Sequence, residues 1–311
     1  MDATTPQDAF YARMDRLSFQ PGWRPRPASL TGPRLTFEPE VWRWSDARAA
    51  LDEAGEVVTT EQAERRNLVL TNRVNDALTL ATRNITAAYQ MVKPGERARS
   101  HRHTPAALRL VVDTHPGMYT VVDGVRIDMA PGDVVLTPSW CWHGHANESE
   151  RNGYWIDFLD VPFVNQLGAA AFEPYPEPYE TVRESQPRSP YRIQPDQVFS
   201  QARSSETVEI GHGLMPTFSL HLSRYRAGTQ VELGKSAISN LYSLTAGRAR
   251  FVVEGGLDVT LSPGDILSVP AWHRHSLDAQ EETTFLRVSD EAIFKALGLL
   301  ATVGDARARN T

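Results

Sequence analysis

Cysteine is almost missing from this sequence: its 311 residues contain one, Cys141. A single thiol excludes an internal disulfide and fits a reducing compartment. Long apolar runs are missing as well, and no stretch approaches the length of a membrane span. The N-terminal MDATTPQDAF is polar and acidic, unlike a secretory signal. Positive charge is not in excess, since the formal net charge is -6. That balance gives no reason to expect nucleic acid or an anionic membrane as a partner. A soluble cytoplasmic protein is therefore expected. Apolar residues make up 41% and charged residues 23%, as in a globular protein, and the length suits two ordinary domains or one large one.

What is present is histidine at strand spacing. His101 and His103 stand two apart, and Trp142-His143-Gly144-His145 follows some forty positions on. Residues i and i+2 of a strand share a face, so two imidazoles enter one space and a third from a later strand can complete a facial set. Neutral imidazole suits iron, copper, zinc or nickel. Taken alone, a His-x-His pair is as often plain polar surface. Its surroundings favour a site: Pro94-Gly95 precedes the pair, and Pro131-Gly132-Asp133 precedes Val134-Val135-Leu136, Pro138, Trp140 and His143. This alternation of turns and strands predicts a small antiparallel barrel with inward ligands.

Along the chain, a short helix is predicted over Asp8 to Leu17, followed by an irregular arm with Pro21, Pro25, Pro27, Pro33 and Trp23. A helix is expected from Ala47 to Ala54, capped by Ser45 or Asp46 and stopped by Gly55. Thr59 to Glu64 has the look of a second helix start, ending in Arg65-Arg66 before the strand-like Leu68-Val69-Leu70. Strands are predicted at Thr86 to Val92, Ala107 to Val112, Met118 to Val122, Val125 to Met129, Val134 to Thr137 and Tyr154 to Leu159. Asp123-Gly124 is the strongest hairpin signal. Residues 173–197, rich in Pro, Glu, Tyr and Ser, read as a linker or covering arm, and Phe172 to Pro178 cannot be a helix or a central strand.

The barrel pattern then repeats. Pro263-Gly264-Asp265, Pro270, Trp272 and His275 match Pro131-Gly132-Asp133, Pro138, Trp140 and His143, and Gly228 matches Gly95. Where the first copy has His101 and His103, the second has Gly234 and Ser236. The second barrel is therefore expected to hold no metal, with His273 and His275 as core or surface histidines. A C-terminal amphipathic helix is predicted over Asp290 to Leu300, ending near Gly304.

The motifs together resemble a known family. Ala63-Glu64-Arg65-Arg66-Asn67-Leu68-Val69-Leu70, Lys93-Pro94-Gly95-Glu96, His101-Arg102-His103-Thr104, Ala107-Leu108-Arg109, Pro131-Gly132-Asp133 through His145, and Trp155-Ile156-Asp157-Phe158-Leu159-Asp160 are similar to the gentisate 1,2-dioxygenase family of bicupins. That family includes salicylate and 1-hydroxy-2-naphthoate dioxygenases. The resemblance covers roughly residues 40–300. It implies an all-β bicupin: two jelly-roll (cupin) barrels with short flanking helices. The boundaries expected are 1–84 for an N-terminal arm and helices, 85–170 for the metal-binding barrel, 171–212 for the linker or covering arm, 213–300 for the second barrel, and 301–311 for a tail.

The resemblance also implies the chemistry. Fe(II) would be held by His101, His103 and His143, and the partners would be a small aromatic acid and dioxygen. Arg109 would pair with the substrate carboxylate, and its even spacing from His103 independently puts it on the ligand face of a regular strand. Arg65 looks like a second arginine of the pocket, while Gln90, Thr86 and Ala88 would line it. His145 would exchange a proton with the phenol or oxygen, and Asp157 would orient a neighbouring histidine or arginine. The reaction implied is cleavage between the hydroxyl- and carboxyl-bearing carbons of an ortho-hydroxy aromatic carboxylate. A homo-oligomer, often a tetramer, is implied too. Pro105, Thr86, the Ala87-Ala88-Tyr89-Gln90 stretch and the hairpin Asp113-Thr114-His115-Pro116-Gly117 depart from the family pattern and reshape the pocket wall. A substituted salicylate is then as reasonable a substrate as gentisate. Two other functions fit the same histidines: an oxygen-independent metal-cupin isomerase or decarboxylase, and a non-catalytic bicupin that binds aromatic acids.

Overall fold

The computed structural model describes residues 5–19, 22–23, 37–60, 62–72, 80–186, 189–202 and 206–300. Pro21, Pro25, Pro27, Pro33 and the tail with Gly304 lie outside these. Residues 1–34 and 35–311 are separate compact units. In the first, helix Pro6–Arg16 starts from a reciprocal Thr5–Asp8 capping box, and Trp23 stacks on Phe10 with ring centroids 6.3 Å apart.

The second unit is built almost entirely from antiparallel strands in four sheets. Thr86–Val92, Ala107–Asp113, Val134–Thr137 and Gly153–Leu159 form one wall of the first barrel. Arg97–His103, Met118–Val122, Val125–Asp128 and His143–Asn147 form the other. The hairpin at Asp123-Gly124 turns with both residues at positive φ, 47° and 78°. The second barrel repeats the plan with Ser219–Tyr225, Asn240–Ala246, Ile266–Val269 and Thr283–Ser289 facing Gln230–Leu233, Ala249–Val253, Leu257–Leu261 and His275–Ala279. The repeat extends to backbone detail. Trp140 and Trp272 both take positive φ, 66° and 71°. Asp133 and Asp265 each fold back onto the amide three residues before them and each bind an arginine, Arg192 and Arg43.

Strand periodicity decides what faces where. Ala87, Tyr89, Met91, Leu108, Leu110, Ile156 and Phe158 point out of the first barrel into an apolar core shared with Leu220, Leu241 and Leu286 of the second. The alternate residues, including Ala88, Gln90, Arg109 and Asp157, are thereby turned to the barrel interior. The N-terminal segment belongs to both barrels: Glu40–Trp42 pairs with Ile266–Val269, and Arg66–Val69 pairs with Thr86–Val92. The stretch read as a linker or covering arm also adds edge strands. Phe172–Pro174 pairs with the histidine strand and Arg192–Ile193 with Val134–Thr137, the places where proline is tolerated in a sheet.

Three helix expectations are corrected. The second helix runs Trp44–Val57, longer than Ala47 to Ala54, and its N-cap is Arg43 rather than Ser45 or Asp46. Its first amide is satisfied from afar, because Trp44 N–H donates to Asp265 Oδ1 at 2.9 Å. Gly55 does not stop this helix but is buried within it, where a Cβ would meet Met91 Cε at 3.0 Å. Of the stretch expected to start another helix, the described residues 59–60 and 62–64 are not helical, and Thr59 N–H donates to Gln62 Oε1 at 3.0 Å; Glu61 lies outside the described residues. The last helix is only Glu291–Ala296, followed by Gly298 at φ 65°. Among the described residues, no helix is long and apolar enough to cross a membrane.

Asp265 thus ties helix to barrel. It is buried and accepts from Arg43 Nη1, Trp44 N and Ser262 N at 2.7, 2.9 and 3.0 Å. Asp265→Ala removes the acceptor of the Trp44 and Ser262 amides and leaves Arg43 with the Thr260 carbonyl but no counter-ion; it is expected to cost about 3 kcal/mol, read from urea unfolding midpoints.

Candidate metal centre

The three histidines meet because their strands pair. His101 lies directly opposite His143, and a register shift between Ala98 and His101 marks an irregularity just before the ligand pair. One ring nitrogen from each of His101, His103 and His143 falls within 4.8 Å of the others, and among the described residues this is the one such group. The other ring nitrogen is occupied in every case. Nδ1 of His101 faces the Arg99 carbonyl at 3.0 Å, that of His103 the Pro105 carbonyl at 2.7 Å, and that of His143 the Cys141 carbonyl at 3.1 Å. A carbonyl only accepts, so each Nδ1 carries the proton and each Nε2 presents a lone pair. Burial is the main force keeping the rings neutral. It takes His101 down to about 4 and His103 below its usual range, and holds His143 far below it, with nearby Arg109 adding to the effect on all three. Three neutral imidazoles in facial array, each oriented by a carbonyl, fit a divalent transition metal.

A second set of polar side chains lies on the facing wall. Arg109 is buried, donates from Nη1 to Thr137 Oγ1 at 2.5 Å, and has Nε 3.3 Å from Asp157 Oδ1. That ion pair is electrostatic rather than an aligned hydrogen bond, and Nε has no hydrogen-bond partner. Asp157 is held by other donors: Trp155 Nε1 reaches Oδ1 at 2.8 Å and Gln90 Nε2 reaches Oδ2 at 2.9 Å. Gln90 in turn accepts from Arg65 Nε at 3.1 Å. Arg65, Gln90, Asp157 and Arg109 therefore form one chain of contacts. Arg66, beside Arg65, points elsewhere and is used structurally by the Val58 carbonyl and Glu96. Thr86 and Ala88 share Gln90's strand face, with Ala88 opposite Asp157.

His145 is different from the triad. It is buried against Trp155, ring centroids 5.1 Å apart and 6.2 Å from His143, and neither of its ring nitrogens has a partner. Burial, then Arg109, keeps it neutral. An unpaired buried imidazole costs about 1–3 kcal/mol, so this site carries a polar group that no other protein group satisfies.

Residues 88–159 match the family model described as a cupin domain. Over 95% of its length the chain is 30% identical to the 5-aminosalicylate 1,2-dioxygenase of a Comamonas species, covering 89% of that protein. It belongs to the gentisate 1,2-dioxygenase family. The gentisate 1,2-dioxygenase of a Streptomyces species is likewise 30% identical, with 95% of this chain and 94% of that one covered. The salicylate 1,2-dioxygenase of Pseudoaminobacter salicylatoxidans, solved as its adducts with gentisate, superposes with a TM-score of 0.83 at 28% identity, covering 97% of this chain and 95% of the other. The family is one of ring-cleaving dioxygenases with the bicupin architecture.

Three residues of this family member's site escaped the sequence reading. Thr137 anchors Arg109, Trp155 anchors Asp157, and Phe172 stacks on His101 at 5.1 Å. Thr137 and Trp155 sit at alternating strand positions that point inward, a signal available in principle. Phe172 lies in the Pro-rich arm, and only its pairing with the histidine strand brings it to the histidine triad.

Proposed function

We propose that this chain is an Fe(II)-dependent dioxygenase that opens the ring of an ortho-hydroxy aromatic carboxylate, gentisate or a substituted salicylate, between the hydroxyl- and carboxyl-bearing carbons. The observation that carries the reading is one barrel wall with three clustered histidines, each with its Nδ1 held by a carbonyl, facing another wall with Arg109 and Arg65. His101, His103 and His143 would hold the iron, which supplies binding and activation of dioxygen and a Lewis-acid contact to the substrate.

The protein groups divide the remaining work. Arg109 receives the substrate carboxylate, and its planar guanidinium fixes the ring's orientation. Arg65, Arg109 and Asp157 sum to one positive charge, so a monoanionic substrate brings the polar wall to neutrality. Asp157 positions Arg109 without touching the ring. His145 is neutral and unpaired, and so can take the proton that leaves the substrate hydroxyl. Thr86 and Ala88 leave room on the pocket wall for a ring substituent. The reading extends to a homo-oligomeric, tetrameric enzyme of the cytoplasm, the compartment being supported by the single cysteine.

The test is oxygen uptake and ultraviolet spectra after anaerobic Fe(II) loading, with gentisate, salicylate, substituted salicylates and 1-hydroxy-2-naphthoate. Stoichiometric oxygen uptake with a new ring-opened keto-acid absorbance is expected. Turnover that persists without oxygen points to an isomerase or decarboxylase, and binding without turnover to a binding protein. His145→Leu is expected to lower kcat about a hundredfold or more while leaving the unfolding midpoint unchanged or raised, since it removes an unsatisfied buried group. Full activity in that variant would show that His145 is only a wall residue.

A further inference from the structure

The second barrel keeps a pocket where the first has its metal centre. On the facing strands, Arg287 lies opposite Tyr242 and His221, just as Asp157 lies opposite Arg109 and Ala88. Arg287 therefore stands where Asp157 does, and Tyr242 where Arg109 does. A cation thus replaces Asp157 and a neutral phenol replaces Arg109. The register also corrects the count from Gly228: Leu233, not Gly234, lies opposite His275 as His101 lies opposite His143, and Ser236 accepts from Trp272 N–H as His103 does from Trp140 N–H, so neither position carries a ligand. His275, the counterpart of His143, is buried with Nε2 2.7 Å from the Tyr242 hydroxyl. Of these residues, Arg287, Tyr242 and Leu233 border a cavity of about 150 Å³.

Its walls are mostly apolar and aromatic, Val231, Leu233, Leu277 and Phe285 with the rings of Tyr225 and Tyr242, and Thr207 and Ser223 add two hydroxyls. An apolar cavity of about this size accommodates a single benzene ring. Arg287 stands at its edge with its charge poorly matched. Its nearest carboxylate, Glu291, is 3.8 Å away and gives its other oxygen to Lys295 at 2.9 Å. Its hydrogen-bonding neighbour, His221 at 3.0 Å, is neutral at pH 7, because burial and then Arg287 itself lower it to about 4. A guanidinium beside an aromatic-walled cavity of one-ring size is a receptor for an aromatic carboxylate.

We propose that the second barrel binds one single-ring aromatic carboxylate, its ring among Phe285, Leu277 and Tyr242 and its carboxylate on Arg287, without metal and without turnover. This is a site additional to the catalytic one and does not depend on the chemistry proposed there.

The test is equilibrium dialysis of labelled salicylate and benzoate against the iron-loaded full-length protein, anaerobically, with ring cleavage measured in parallel. Arg287→Leu removes the anion receptor. Val231→Trp fills the cavity from its rim and keeps the arginine. Each variant is expected to lose one bound equivalent per chain relative to wild type while cleaving the ring at the wild-type rate. A binding capacity unchanged in both variants overturns the inference. Loss of one equivalent in a protein that cleaves no ring removes the proposed function and leaves this site standing. Unchanged capacity with normal cleavage does the reverse.

Discussion

His143→Ala is expected to abolish ring cleavage and to lower iron affinity by more than about a hundredfold, measured as metal retained after dialysis of the loaded protein and as oxygen uptake. The argument rests on how the triad is held. Each imidazole is fixed by a backbone carbonyl behind it, and loss of such an outer partner alone costs about 10–100-fold in affinity at metal sites. Loss of the ligand itself must exceed that. His143 is also the one triad member contributed by the second strand, so His101 and His103 cannot close the facial set between them. The metal-free protein offers an independent check through His101. Its folded pKa of about 4 lies below the ordinary 6.5, so the unfolded chain binds the proton more readily. The stability linked to this neutral ring is present above about pH 6.5 and is lost as pH falls towards 4. Metal-free His101→Ala should therefore show a shallower loss of stability across that window than metal-free wild type. Equal slopes would mean that His101 is not desolvated as its burial implies.

The parts of this site that could be read from the sequence are those governed by strand periodicity and by the internal repeat. His101 and His103 are two apart, Gln90 and Ala88 share a face, and Pro131-Gly132-Asp133 recurs as Pro263-Gly264-Asp265, down to the same carboxylate-to-loop bond. The parts that could not be read are set by contacts across long separations. Trp44 begins its helix because Asp265, more than two hundred residues away, satisfies its amide; no local cap announces it. Gly55 would ordinarily end a helix, but here Met91 packs where a side chain would go, so the missing Cβ is a packing requirement. Arg65 and Arg66 look equivalent in sequence, yet adjacent residues diverge, and one donates to Gln90 while the other holds the Val58 carbonyl. Phe172 was hidden by its prolines, which signal irregular chain but also suit an edge strand.

Arg109→Met is expected to lower kcat/KM by about 10²–10⁴, with the metal still bound and most of the loss in KM. The estimate follows from the contact removed: two charge-assisted hydrogen bonds to a carboxylate at about 1.5–3 kcal/mol each. Metal retention matters, because Arg109 shares no bond with the histidines; its polar partners are Thr137 and Asp157. The variant also leaves Asp157 buried without its cation, but Trp155 and Gln90 still donate to both oxygens. Stability should therefore fall by less than the about 3–5 kcal/mol typical of an orphaned buried charge. Arg109→Lys separates charge from shape. It keeps a cation near Asp157 but loses the planar fork, so it should recover stability without recovering KM. Asp157→Asn should behave in the opposite sense. It preserves an acceptor of the same shape but removes the negative charge, leaving Arg109 and Arg65 uncompensated in a buried wall. The fold should weaken while an anionic substrate binds at least as tightly as in wild type. If Arg109→Met and Asp157→Asn instead both raise KM alike, the two residues act as one structural pair and the carboxylate is received elsewhere, with Arg65 the remaining cation on that wall.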